Sequence, residues 1–259
     1  MKDRNSRQSF LGDHFDEIMK TTRIGLVGLG GGGSIIVTSL AHYGFKKYFV
    51  ADPDLFEESN LNRLLGSGYE DIALKIPKVD IAERQIRKII PDADIVKAQN
   101  KWQFSSSDPA FLECEIIFSC LDDFATRMQI ESFTRKHGII LIDIGLSIKS
   151  DSAGRFYCMG QVVMSHPDGP CFKCLDFITD KDLELEATRY GQVGIRPQVI
   201  SANSILGNTA VSLAVELLSN WTGASPVAFY KHFDGNFLDM SNNLKLESKS
   251  FQDCKCKHF

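Results

Sequence analysis

A chain of 259 residues, 43% of them hydrophobic, is long enough to bury a sizeable core as one large α/β domain or two small ones. Its formal net charge of −4 argues against a nucleic-acid footprint spread over the whole surface, and no apolar run reaches the length of a membrane span. The opening segment, MKDRNSRQSFLGDHFDEIMK, lacks the apolar centre of a secretory signal, so the expectation is a cytoplasmic protein with no membrane or nucleic-acid partner.

Residues 1–22 read as an N-terminal helical arm. The stretch RIGLVGLGGGG follows: a buried strand, Ile24–Val27, breaks into five glycines within six residues, and a helical pattern opens over Ser34–Tyr43. Residues without a Cβ let the backbone turn tightly and approach a phosphate, and a helix N-terminus offers it unpaired N–H groups. Gly28, Gly30, Gly31 and Gly33 therefore read as a nucleotide-binding turn. A second strand, Tyr48–Ala51, is closed by Asp52. Lys78–Ile90 is expected to be a helix with Val79, Ala82, Ile86 and Ile89 on one face. Strands at Asp94–Lys97 and Glu115–Ser119, a helix at Phe124–His137 and a strand at Ile139–Ile142 complete a nucleotide-binding half over 23–150. This alternation predicts an α/β, Rossmann-like fold with a mainly parallel sheet and helices on both faces.

The pattern changes after Lys149. Arg155–Met164 alternates as an antiparallel strand would, and Cys174–Pro197 is charged and without periodicity. A long helix spans Ser201–Leu218. Phe229–Phe233 and Phe237–Leu246 suggest a closing hairpin around Asp234-Gly235, followed by a polar tail. Residues 151–259 thus form an antiparallel half of the same single domain.

Chemistry-bearing residues cluster after the glycines. Asp52 suits hydrogen bonding to a ribose, which also fits a dinucleotide enzyme. The residues beyond it do not suit hydride transfer. Asp54, Asn60, Asn62 and Arg63 follow in DPDLFEESNLNRLLG, Lys78 opens a helix, and Asp122 lies just past the fourth strand. A carboxylate for magnesium and cations for a leaving pyrophosphate are what nucleotidyl transfer needs. No GxxxxGK[ST] occurs, so a P-loop enzyme is excluded.

The glycine turn, D-x-D, SNLNR, PK and C-x-D, in this order, resemble the ThiF/MoeB/HesA superfamily, which includes the ubiquitin-activating enzymes. The resemblance runs from about Arg4 to Asp234. It implies ATP-dependent adenylation of the C-terminal glycine carboxylate of a ubiquitin-like or sulfur-carrier protein, with a conjugating enzyme or sulfur donor as a further partner. It implies that Asp52 holds the ribose with Asp54 beside it, that Asn60, Arg63 and Lys78 contact phosphates, and that Asp122 is associated with magnesium. Arg4-x-x-Arg7-Gln8 resembles a motif whose second arginine reaches into a neighbouring subunit, which implies a homodimer. Gly32 departs from the usual turn and is expected to loosen it. A peptide or modified tRNA base as substrate, and a non-catalytic partner subunit, are the alternatives on the same fold.

Seven cysteines in a reducing compartment point to metal or thiol chemistry. Cys171-x-x-Cys174 has the spacing of half a structural zinc site, and Cys254 and Cys256, with His258 in reserve, are the obvious remaining ligands. Lys173, Lys255 and Lys257 are expected to offset surplus thiolate charge. The superfamily often carries a second CxxC where this chain has C-x-C. No cysteine occurs between Leu175 and Asp253, where many relatives carry a thiol nucleophile. Cys158 is then the best-placed alternative, since Cys114 and Cys120 fall in or near an apolar strand. His42, His137 and His232 sit within apolar or helical patterns and are assigned no chemistry.

Overall fold

A computed structural model describes residues 6–188, 197–224, 226–247, 254 and 256. Arg4, Lys255, Lys257, His258 and part of the Cys174–Pro197 segment lie outside the described residues. Helix α1 (Phe15–Thr21) precedes strand β1 (Arg23–Val27), and the glycines lead into α2 (Gly31–Tyr43) and β2 (Lys47–Ala51). Then come α3 (Tyr69–Ala73), α4 (Lys78–Ile89), β3 (Asp94–Ala98), α5 (Pro109–Leu112) and β4 (Cys114–Ser119). Helix α6 (Phe124–Lys136) joins β4 to β5 (Ile140–Ser150), which pairs with β6 (Phe156–Ser165). The remaining elements are α7 (Asp180–Thr188), α8 (Ile200–Ser219), β7 (Phe229–Asp234), β8 (Asp239–Asn242) and α9 (Leu244–Glu247).

The strands form one eight-stranded sheet in the order β3-β2-β1-β4-β5-β6-β7-β8. From β3 to β5 neighbours are parallel, and from β5 to β8 antiparallel. Alternate strand residues supply two cores. Leu26, Val50, Phe118 and Ile142 share one with α2 and α8, while Val27, Phe49, Ile117 and Leu141 share the other with Trp102, Phe111, Ile130 and Phe172. Each half-buried face needs a layer of helices, so the expected α/β architecture is observed. No helix among the described residues is long and apolar enough to cross a membrane.

Four expectations change. Helix α2 begins at Gly31, three residues earlier than the side-chain pattern indicated, because a periodicity of apolar side chains cannot register residues without any. Strand β5 continues through Asp143 and Gly145 to Ser150, well past Ile142, where the expected strand ended. The aperiodic charged segment contains α7, which buries none of its side chains and so has no core-facing stripe for periodicity to reveal. The closing hairpin is shorter than expected: Phe237 and Leu238 are exposed in its turn, and β8 yields to α9.

Candidate active site

Strand β1 has β2 on one side and β4 on the other, so consecutive crossovers leave it in opposite directions. A crevice opens outside the carboxyl ends of strands at such a switch point. The glycine turn forms its floor. Gly28 has φ +89°, and a Cβ there would lie 2.7 Å from the Cys120 carbonyl oxygen. A Cβ on Gly33 would lie 2.1 Å from the Gly28 carbonyl oxygen, so only glycine lets the first turn of α2 close on the strand end. A Cβ at Gly31 would meet the Arg63 side chain at 3.1 Å and the Asn203 amide at 2.7 Å. Gly30 faces open space. Gly32 does not loosen the turn: it lies inside α2, and the Ile144 side chain fills the room a Cβ would take.

Asp52 follows β2 and is almost wholly buried. Its Oδ2 accepts a hydrogen bond from Leu29 N at 2.6 Å and its Oδ1 from Asp54 N at 2.9 Å. The carboxylate thus ties the glycine turn to the end of β2. Burial raises its pKa from the ordinary carboxylate value, and the Lys78 ammonium opposes that rise. Lys78 is the first residue of α4. Its Nζ lies 2.7 Å from Asp54 Oδ2 and 4.0 Å from Asp52 Oδ1. Asn60 is buried and shapes its own loop, its Oδ1 accepting from Glu57 N at 3.3 Å. Arg63 is half-buried against the turn, donates to Ser59 O at 2.6 Å and to Asn62 Oδ1 at 2.9 Å, and is lowered in pKa by that burial.

Asp122 is exposed in the loop beyond β4, on the same carboxyl edge as the glycine turn. Asp123, not Asp122, caps α6, its Oδ1 accepting from Thr126 N at 2.7 Å. The structure therefore gathers Gly28–Gly33, Asp52, Asp54, Asn60, Arg63 and Lys78 on one side of the crevice and Asp122 at the end of the strand opposite. It does not bring Arg7 there. Arg7 is exposed, and its neighbour Gln8 donates to Tyr43 O at 3.2 Å, at the far end of α2 from the glycines.

Asn203 on α8 is a site residue that sequence reasoning missed. It is buried, its Nδ2 donates to Val199 O at 3.0 Å, and it lies over Gly31. Nearby, Asn62 Nδ2 donates to Gln198 O at 3.3 Å, which docks the SNLNR loop on the residues preceding α8. Asn203 lies in an apolar helix with no motif around it, so no local signal marked it.

The four cysteines converge on the opposite face of the sheet. One ligand atom from each of Cys171, Cys174, Cys254 and Cys256 lies within 4.8 Å of the others. Cys174 Sγ is 3.6 Å from the sulfurs of both Cys254 and Cys256. Thiolates around a tetrahedral zinc, each at about 2.3 Å, stand roughly 3.8 Å apart. The donor set and its spacing therefore fit zinc. Burial pushes the Cys171 and Cys256 thiols above their ordinary range, so holding them as thiolates takes a cation. Lys173 turns instead to Asp180, at 3.4 Å. Of the other thiols, burial pushes Cys114 up to about 12 and raises Cys120 and Cys158.

The fold matches solved structures of the Escherichia coli enzyme MccB, one of them with ATP, at a TM-score of 0.75 and 14% identity, covering 93% of this chain and 71% of that one. In sequence the chain is 32% identical over 146 residues to a yeast tRNA threonylcarbamoyladenosine dehydratase, covering 55% of this chain and 32% of that enzyme. It is 28% identical over 155 residues to the SAMP-activating enzyme E1 of Haloferax volcanii, covering 60% and 53%. It is 25% identical over 237 residues to the sulfur carrier protein ThiS adenylyltransferase of Escherichia coli, covering 90% and 86%. The first two matches thus span a third and about half of those relatives' own lengths. The ThiF family profile matches residues 3–256, nearly every position of the chain, including both halves of the crevice and all four clustered cysteines: the chain belongs to the ThiF family.

Proposed function

We infer that this chain is an adenylyltransferase that uses ATP and magnesium to activate the C-terminal glycine carboxylate of a ubiquitin-like or sulfur-carrier protein. The observation that carries the reading is the crevice between β1 and β4, with two cations and a nucleotide turn on one side and Asp122 on the other. Asp52 takes the ribose hydroxyls, and the N–H groups at the start of α2 cradle phosphate. Lys78, already held between Asp52 and Asp54, and Arg63 meet the charge that develops on pyrophosphate. Asp122 supplies a hard oxygen ligand suited to magnesium, which would neutralise phosphate charge when bound. The carrier's carboxylate oxygen attacks the α-phosphorus, the bond to the bridging oxygen of the β-phosphate breaks, and pyrophosphate leaves an acyl-adenylate. Arg7, remote from its own crevice, suits a role in the site of a second copy in a homodimer. The cysteine cluster, as a zinc site, pins the C-terminal segment to the loop after β6 and takes no part in the chemistry.

ATP–pyrophosphate exchange tests the reading. It should require magnesium and a carrier ending in glycine. A modified tRNA base is the second reading, favoured by the name of the yeast relative, while the net charge of −4 weighs against it. Exchange driven by tRNA and by no carrier in a panel would replace the first reading with the second.

A further inference from the structure

Beneath the Asp122 loop lies a buried polar cluster with no counterpart in any motif of the sequence. Arg127, one turn into α6, is almost wholly buried. Its Nε and Nη2 both donate to the Leu121 carbonyl, at 2.8 and 2.5 Å. That carbonyl belongs to the peptide unit that ends at Asp122 N. Arg127 Nη2 also reaches Ile144 O at 3.4 Å, and Nη1 lies 3.6 Å from Asp143 Oδ1. Asp143 is fully buried on β5, and its Oδ2 accepts from Ser119 Oγ, the last residue of β4, at 2.7 Å. One guanidinium therefore ties β5 at Asp143 and Ile144, and through Asp143 the end of β4, to the peptide in front of Asp122.

Room for that guanidinium comes from Gly145. A Cβ there would stand 2.9 Å from both Nη atoms of Arg127 and 2.3 Å from the Gln161 amide nitrogen. On the other side of Asp122, Asp123 caps α6, and the Glu186 carboxylate of α7 accepts from Phe124 N and Ala125 N, each at 3.0 Å. Asp122 is thus an exposed carboxylate between two residues whose backbones are held. Burying a charged pair is expensive and adds little to stability, so what this pair contributes is the geometry it fixes.

We propose that Arg127, seated on Gly145 and balanced by Asp143, is a positioning residue that holds the Asp122 carboxylate at the phosphate side of the crevice. The proposal rests on the reading of Asp122 as a magnesium ligand. Outer groups that orient a metal ligand contribute about 10- to 100-fold to metal affinity. The effect should appear in magnesium-dependent binding and leave magnesium-free binding at the nucleotide turn as it was.

The test is a calorimetric titration of ATP into the full chain, with and without magnesium and without carrier protein, so that binding is read apart from turnover. Gly145→Ala displaces the guanidinium; Arg127→Lys keeps the charge beside Asp143 but loses the fork on Leu121. Both should keep magnesium-free ATP affinity within about twofold and lose about tenfold of the tightening that magnesium gives. Asp122→Asn should lose the same increment. If Asp122→Asn loses it while Gly145→Ala and Arg127→Lys keep it, the positioning role is wrong and the magnesium reading stands. If Asp122→Asn keeps it, the magnesium reading falls and takes the positioning role with it. Thermal unfolding of each variant separates the remaining case: if neither Gly145→Ala nor Arg127→Lys folds, the cluster is structural and the proposal is overturned.

Discussion

Lys78 illustrates how far a single side chain can be read from sequence. Its position at the start of α4, two residues after Ile76 in KIPKVD, marked it as a cation near a phosphate. Its partners were not legible, because Asp54 reaches it only through the turn that follows β2. Removing it leaves the Asp52 and Asp54 carboxylates side by side without the charge held between them. Lys78→Ala should lower adenylate formation by about 100- to 1,000-fold, the loss seen when one preorganised stabilising group is removed. Thermal unfolding run alongside distinguishes a lost reaction from a lost fold; activity within threefold of wild type would remove Lys78 from the site. Asp143 was invisible for the opposite reason, since a lone aspartate among Ile142 and Ile144 reads as a strand end. Burial raises its pKa from 3.8 to about 6, against the pull of Arg127 and Ser119. A carboxyl raised on folding binds its proton more tightly in the native state, so its contribution to stability declines as pH rises from about 4 to about 6. The unfolding midpoint of Asp143→Asn minus that of wild type should therefore grow across that interval. A difference that stays flat with pH would contradict the raised value.

At the scale of elements, legibility followed apolar periodicity. Helix α4 was drawn correctly because Val79, Ala82 and Ile86 are buried on one face and Ile89 packs against the same core. Helix α7 left no such trace, because it is attached by few groups. Leu183 packs against the edge of the core, and Glu186 occupies the first two N–H groups of α6. A carboxylate there satisfies donors that are otherwise unpaired and faces the positive end of the helix. Glu186→Ala should remove about 1 kcal/mol, the usual value of a capping interaction. Native-state hydrogen exchange should then accelerate across Asp180–Thr188 and at the start of α6, while β1 and β4 stay protected. Unchanged protection in α7 would show that other contacts hold it.

For the whole molecule, the sheet order explains why motifs spread over nearly a hundred positions could be assembled from sequence alone. A parallel sheet puts every strand's carboxyl end on one edge, so Gly28, Asp52 and Asp122 had to meet once the strands were known. The antiparallel continuation obeys no such rule, and there Asn203 and the return of the C-terminal segment could not be located. The cysteines supplied that long-range constraint through their chemistry. Purified protein should carry one zinc per chain, and Cys254→Ser with Cys256→Ser should abolish it and lower the melting temperature. Metal analysis showing no zinc in wild-type protein isolated without chelator would contradict the cluster's role.

The most direct test of the adenylation reading is the intact mass of a carrier protein ending in glycine after incubation with this protein, ATP and magnesium. The reading predicts AMP joined to the carrier's terminal glycine, with pyrophosphate released. ADP and inorganic phosphate as products, or AMP found only on tRNA, would contradict it.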